Sequence, residues 1–427
     1  MLKPKHALSL RNGLPLILWA LALAISLNSG WVIAYRFLYL FTLLIITSLV
    51  WSQGTVQAIQ VERAVTRQSL HVGDTLIEKL TIRNRSPLPQ MWVAVADAST
   101  LPLHLVRQVI TYLRPRSSRQ LLVRTLCLRR GRYRLGPALL ISGDPFGIFR
   151  AQREVPAAST VVIYPRLFRM PSLDLVSAFV ELEAQRARRT ASAGPQVTTV
   201  REYLPGDELS RIHWRSTAKH GRLMSKQFEQ RPARDVWVVA DMHRAVQAGH
   251  LLPLEPENGA LFSRLSWPPL EPSTEEYVVS IAASVVRHFL EQDRQVGLVA
   301  HASHRCFFPP DRGPRQLNRL LEALATIRAD GRTPLYRVLQ LEASNFKRFD
   351  MLVVITPSED ESWIAALHAL SLQGVGILPF IVERATFLGA AGSSSLANLL
   401  AARRLPCCFV RNGQTPDQAS CYMPASS

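Results

Sequence analysis

The sequence predicts a multidomain chain: an N-terminal transmembrane helical hairpin, an immunoglobulin-like β-sandwich, and an α/β domain on a mainly parallel sheet. Three observations carry this. The first fifty residues are almost free of charge, the next hundred alternate apolar and polar residues between turn signals, and the last two hundred alternate short apolar runs with helical patterns. A length of 427 residues leaves room for all three parts.

Residues 1–54 hold the membrane segment. Between Leu14 and Trp51 the one charged side chain is Arg36. "LPLILWALALAISLNSGWVI" supplies the roughly 20 apolar residues that cross a bilayer, and "RFLYLFTLLIITSLVW" supplies a slightly short second span. The two spans are placed at about 14–33 and 36–52, with Trp31 and Tyr35 at the headgroup level of the turn between them. Lys3, Lys5 and Arg11 precede the first span, so the positive-inside rule keeps the N-terminus in the cytoplasm. Two crossings return the rest of the chain there, at a bacterial inner membrane. A cleaved signal peptide is the competing reading, but "SLNSG" is a poor cleavage site.

Residues 55–165 read as the sandwich. "DTLIEKLTIRNRS", "MWVAVADAS", "RQLLVRTLCLRRGRYRLGPALLIS" and "STVVIYP" alternate as half-buried strands do, and "VGD", "RNRSPLP", "RRG" and "GDPFG" punctuate them. Arg129, Arg130, Arg132 and Arg134 read as a solvated strand face. Residues 233–427 read as the α/β domain, with strands at 235–241, 295–301, 350–356, 374–382 and 405–410. In "STEEYVVSIAASVVRHFLEQD", Ser273 and Glu276 have capping-box spacing, and Tyr277, Ile281, Val285 and Phe289 form one apolar stripe. "PRQLNRLLEALATI" and "DESWIAALHALSLQG" give two further helices. A Pro-rich insert at 252–272 interrupts the first strand-to-helix link, as either a disordered loop or a partner-contact loop.

Residues 166–232 join the two domains. After the basic loop "RARRTASAGPQ", the stretch "VTTVREYL" reads as a strand and "PGD" as a turn. "ELSRIHWRSTAKH" reads as a helix capped by Asp207 and ended by Gly221, and "RLMSKQFEQ" as a strand leading into the α/β sheet. Arg201, Arg211 and Arg215 can pair with Glu202, Asp207 or Glu208, while Tyr203 and Trp214 offer rings to bury. These residues form either an ion-paired clasp between domains or a docking surface for an acidic partner. An enzymatic reading would give Glu202, Asp207, His213 and Ser216 acid, base or nucleophile roles on an anionic substrate. His213 and Ser216 stand three apart and could meet, but no nucleophile elbow or oxyanion hole accompanies them.

The net charge of +18 makes anionic partners plausible, nucleic acid or a membrane face. Nucleic acid is not favoured, because no recognisable module and no aromatic platform among the basic residues supports it. Cys127, Cys306, Cys407, Cys408 and Cys421 show no paired motif and no zinc-ligand spacing, which fits a reducing compartment and no disulfide framework. No cofactor is expected.

Two resemblances sharpen the reading. Asp241 closing the first α/β strand, Thr333 in "GRTP" and the polar strand end at Thr356 resemble a von Willebrand factor A domain. That family holds a divalent cation with D-x-S-x-S, a Thr and a third-loop Asp. Here His243, Ala245 and Pro357 stand at ligand positions, and imidazole, methyl and pyrrolidine groups are not the hard oxygens magnesium needs. The remnants Asp241 and Thr333 are therefore expected to hold no metal. Second, "VREYLPGDELSRIHWRSTAKHGRLMSKQFE" resembles the signature of the domain of unknown function 58 (DUF58) family of membrane-anchored bacterial proteins, and "RRGRYRLGP", "DPFGIF", "YPR" and "IAASVV" fit it. The chain keeps Arg201, Glu202, Tyr203, Gly206, Asp207, Arg211, Trp214 and Arg215 at the signature positions. The resemblance implies a von Willebrand factor A-like C-terminal half. It also implies partners among MoxR-type AAA+ ATPases and membrane proteins with transglutaminase-like domains, and it transfers no catalytic residue. The expectation is a non-enzymatic, membrane-anchored adaptor that assembles or remodels an envelope or metalloprotein client.

Overall fold

The computed structural model describes residues 6–171, 173–174, 176–178, 197–204, 212–228, 235–251, 270–390 and 395–423. They divide into two compact units, one ending at Tyr164 and one beginning at Pro165.

In the first unit, helices α1 (Leu14–Ser29) and α2 (Val32–Gln57) form the apolar pair. Gly30, with φ 64°, supplies the left-handed residue that ends α1. Trp19 Nε1 donates to Thr42 Oγ1 across the pair at 2.9 Å. Among the described residues, α2 over Val32–Gly54 is the one helix long and apolar enough by itself to cross a membrane; α1 is shorter. α2 also starts four residues before the expected second span and runs five residues past it, because its last turns pack as part of the soluble unit, with Ser48, Ser52 and Val56 buried.

The strands of the first unit make three sheets. One joins β2 (Ile59–Val65), β4 (Thr75–Asn84) and β7 (Ser118–Leu126). A second runs in the order β1 (His6–Leu10), β10 (Phe149–Val155), β9 (Ala138–Gly143), β5 (Gln90–Asp97), β6 (Arg107–Leu113). Ile59, Val61, Leu80 and Ile82 of the first meet Val93, Val95, Ile110 and Leu140 of the second in one core. The period-two pattern therefore does what it promised: one face of each sheet is dry. The third sheet holds β3 (Ser69–His71), β11 (Ser159–Tyr164) and β8 (Gly131–Leu135). Two readings need correction. β1, ahead of the apolar pair, falls where no strand was expected and adds an edge strand to β10. Arg130, expected in solvent, is 1% exposed and Arg129 is half-buried, while Arg132 and Arg134 stay exposed.

The second unit holds a seven-stranded sheet. Its order is β16 (Arg305–Asp311), β15 (Val296–His301), β14 (Val236–Ala240), β17 (Met351–Thr356), β18 (Gly376–Val382), β19 (Cys407–Val410), β20 (Ser420–Tyr422). β14, β15, β17, β18 and β19 are parallel, and the two edge strands are antiparallel. All five expected strands are present and almost wholly buried, as continuous apolar runs in a parallel sheet must be. The two edge strands were not expected, since "RCFFPPD" and "SCY" lack such runs. After α3 (Trp214–His220), described below, come α4 (Thr274–Glu291), α5 (Gly313–Thr326), α6 (Leu335–Glu342), α7 (Ser362–Leu372) and α8 (Ser395–Ala402). The stripe Tyr277, Ile281, Val285, Phe289 on α4 is buried to 2% or less. Ser273 takes the N-cap position but its side chain makes no capping bond; Thr274 instead donates to Gln247 Oε1 at 2.7 Å. Most of the 252–272 insert lies outside the described residues. Its flanks are joined by the Gly249–Ser273 bridge and by His250 N donating to Pro272 O.

The cysteine reading also changes. Cys408 and Cys421 form a disulfide between β19 and β20. A pair thirteen residues apart without a motif becomes legible only once the two strands are neighbours.

Candidate functional site

The family-like stretch folds as a hairpin. β12 (Val197–Glu202) and β13 (Met224–Phe228) pair with each other in a two-stranded sheet, so β13 does not extend the large sheet as expected. Between them Ile212 bridges to Ser225 and His213 N donates to Met224 O. Those bonds tie residues 212 and 213 to β13, and His213, with φ −91° and ψ 85°, is not helical, so α3 begins at Trp214; residues 208–211 of the expected helix lie outside the described residues. Gly221, with φ 67°, ends it as expected. Gly206, Asp207 and Arg211, and with them the Asp207 cap, lie outside the described residues, as does the basic loop at 186–196.

The sequence suggested that His213 and Ser216 could meet, and they do. His213 Nδ1 accepts from the Ser216 hydroxyl at 2.7 Å and from Ser216 N at 3.2 Å. With its acceptor nitrogen committed to the first turn of α3, the imidazole serves as a cap. Thr217 Oγ1 accepts from Met224 N at 3.1 Å and ties α3 to β13.

The clasp reading needs a buried Trp214, and the structure places that side chain outside: Trp214 is 68% exposed, Leu204 59% and Leu223 44%. Tyr203 is half-buried. Glu202 pairs with Arg222 at 3.5 Å in solvent, a geometry worth little. Arg201 donates to the Glu202 carbonyl at 3.3 Å. Arg215, Lys219, His220 and Arg222 are exposed as well. The hairpin thus exposes three large apolar side chains and several cations among its described residues.

At the carboxyl ends of the parallel strands, where open α/β sheets bind ligands, Asp241 is closed off. Its Oδ2 accepts from Thr356 Oγ1 at 2.7 Å and its Oδ1 from His243 N at 3.0 Å. Burial pushes its pKa above the usual carboxylate value, against those hydrogen bonds. Gly331 N donates to Met242 O and Arg244 N donates to Gly331 O, and a Cβ on Gly331 would stand 2.1 Å from His301 O. Thr333 sits in the next turn, half-buried. Both carboxylate oxygens accept, whereas an amide offers one acceptor, so Asp241→Asn sets an NH2 group against Thr356 Oγ1 or His243 N. D241N should therefore melt below the parent, by the same margin with or without millimolar magnesium; a parent selectively stabilised by the ion would contradict the expectation of no metal.

One buried constellation was not anticipated. Glu78, Asp97 and His104 bring ligand atoms within 4.8 Å of one another in the first unit. Arg63 occupies the same space, 3.0 Å from Glu78 and 2.5 Å from Asp97. His104 Nε2 lies 3.1 Å from Glu78 and 3.3 Å from Asp97, and its Nδ1 is 2.8 Å from Thr125 Oγ1. Burial works to lower the pKa of His104, yet Asp97 and Glu78 hold it above the ordinary value. Burial likewise works to raise that of Asp97, yet His104 and Arg63 hold it below. Two carboxylates thus face a guanidinium and a histidine whose protonation they favour. A cation added there would be repelled by Arg63. Its members come from β2, β4, β5, β7 and the 98–106 loop, so no local motif announces it.

The fold and site define a class: a chain of two compact units, the first with an apolar helical pair and the second with an exposed hairpin. The model of a family described as protein of unknown function DUF58 matches residues 199–251, from the hairpin through the loop after β14. The uncharacterized protein YeaD of Bacillus subtilis (strain 168) is 21% identical over 355 residues, covering 79% of this chain and 80% of that one. Together these support the DUF58 family. Among solved structures, a CARDB domain from Pyrococcus furiosus in complex with di-metal ions covers 25% of this chain and 86% of its own, at 13% identity and a TM-score of 0.19. The alkylpurine DNA glycosylase AlkC of Pseudomonas fluorescens covers 33% and 42%, at 15% identity and 0.18. At such scores neither carries an argument about fold or function.

Proposed function

We propose that this chain is a non-enzymatic, inner-membrane-anchored adaptor whose signature hairpin docks an acidic face of a MoxR-type AAA+ ATPase. The observation that carries the reading is the exposed Trp214, on a hairpin that also exposes Leu204, Leu223, Arg215, Lys219, His220 and Arg222. Exposed aromatic anchors within a polar rim are what interfaces use, and Trp and Arg contribute most. The capping role of His213 and Ser216 leaves the enzymatic reading without its nearest pair. The ATPase comes from the family resemblance. Membrane proteins with transglutaminase-like domains enter by the same route, as fellow members of an assembly acting on an envelope or metalloprotein client.

The anchor is read as two spans with both termini cytoplasmic. Its support is that β1, before α1, pairs with β10, after α2, so the apolar pair leaves one soluble unit and returns to it. The first unit is read as immunoglobulin-like, from its two sheets facing across one core. The second is read as von Willebrand factor A-like, from its central β14, parallel neighbours and antiparallel edge β16. The test of the docking reading is co-purification from native membranes. Trp214→Ala with Arg215→Glu should cut ATPase recovery about tenfold or more, the loss expected when an anchoring aromatic goes, with circular dichroism unchanged. Undiminished recovery by the double variant would rule out this surface.

A further inference from the structure

We propose that the turn between β9 and β10 is a second membrane contact, seating Phe146 in the interfacial zone of the bilayer at the base of the helical pair. The inference rests on reading α1 and α2 as membrane-embedded. It begins from an aromatic side chain that is 58% exposed on a rigid turn. Asp144, buried, accepts from Phe146 N at 2.9 Å, Ile148 N at 3.2 Å and Phe149 N at 2.6 Å. Its fourth donor is the Ser48 hydroxyl of α2, at 3.1 Å. Arg11 N donates to Ile148 O at 2.8 Å just before α1 begins. One turn is therefore tied to both helices where they join the soluble unit, and its apex points Phe146 into solvent with Gly147 at φ 72°.

Length supplies the second argument. α1 has 16 residues, so at 1.5 Å per residue it reaches about 24 Å, against a hydrocarbon core of about 30 Å. Ser48 is buried against the turn, so α2 offers little more on that face before the soluble unit begins. A pair this short thins the bilayer or draws its base into the headgroup region. Drawn in, the base brings Phe146 and the half-exposed Leu10 with it. Arg11 and Arg150, exposed beside the turn, then lie at the level of lipid phosphates, with the Arg11 guanidinium 5.9 Å from the Trp92 ring. An aromatic tip between cations suits an anionic lipid surface.

The test uses the full-length protein in nanodiscs containing phosphatidylglycerol. Phe146→Cys, Leu40→Cys on the lipid side of α2, and Glu291→Cys as an aqueous reference are spin-labelled, with the labelled parent subtracted for its own cysteines. Phe146→Cys should be more accessible to oxygen than to a water-soluble nickel chelate, in a ratio between those of Leu40→Cys and Glu291→Cys. If Leu40→Cys reads as lipid and Phe146→Cys matches Glu291→Cys, the turn is not a membrane contact although the anchor stands. If both match Glu291→Cys, the anchor reading falls and this inference with it.

Discussion

Arg63→Met is expected to destabilise the first unit by roughly 3–5 kcal/mol, the usual cost of stripping one partner from a buried ion pair. The variant leaves Glu78 and Asp97 buried together, with His104 as the one cation between them. Hydrogen exchange on the full-length protein checks this: amides of β4 and β5 should lose protection while those of β17 keep theirs. The same cluster sets a pH dependence. The groups facing His104 are Glu78, Asp97, Arg63 and Thr125, and the folded pKa of His104 lies above its ordinary value near 6.5. Its contribution is therefore complete below about that pH and is lost as pH rises through the folded value. Asp97 has the opposite sign: its pKa is held below 3.8, so its contribution is present above that value and is lost as pH falls through the folded one. The sandwich should be firmest between the two limits, and His104→Gln should flatten the alkaline limb alone.

Asp144→Ala is the second large effect. It deprives three backbone N–H groups and the Ser48 hydroxyl of one shared acceptor. Each buried group left without a partner costs roughly 1–3 kcal/mol, and the costs overlap. The expected result is a loss of about 3 kcal/mol and at least a hundredfold faster exchange at the amides of Phe146, Ile148 and Phe149. Ser48→Ala removes one donor and should cost far less. Equal effects would mean that the helix contact, and not the turn, carries the stability.

Much of the architecture was legible because it rests on local pattern. The buried α/β strands read as unbroken apolar runs, and the α4 stripe recurs every four residues. What stayed hidden depends on distance in the chain. The cluster of Arg63, Glu78, Asp97, His104 and Thr125 is assembled from separate strands and a loop, each charge an ordinary surface residue in its own segment. The Cys408–Cys421 link needs β20 beside β19. The α3 boundary was misread because helix pattern continues through Ile212, whose bridge to Ser225 overrides it. β1 lay hidden because "HALSL" has no strict alternation and abuts a long apolar run.

The signature region shows the same limit. Its composition allowed a clasp or a docking face, since pattern does not tell whether an aromatic ring finds a neighbour. The structure leaves Trp214 outside and commits His213 to a helix cap.

The central claim is that this hairpin, through Trp214, receives a protein partner. The most direct measurement replaces Trp214 with a photo-crosslinking benzoylphenylalanine in living cells, with the same replacement at exposed Leu372 as reference. The account predicts one dominant adduct at position 214 that contains a MoxR-type AAA+ ATPase and is absent at 372. Equal, unspecific adducts at both positions, or a 214 adduct holding no ATPase, would contradict it.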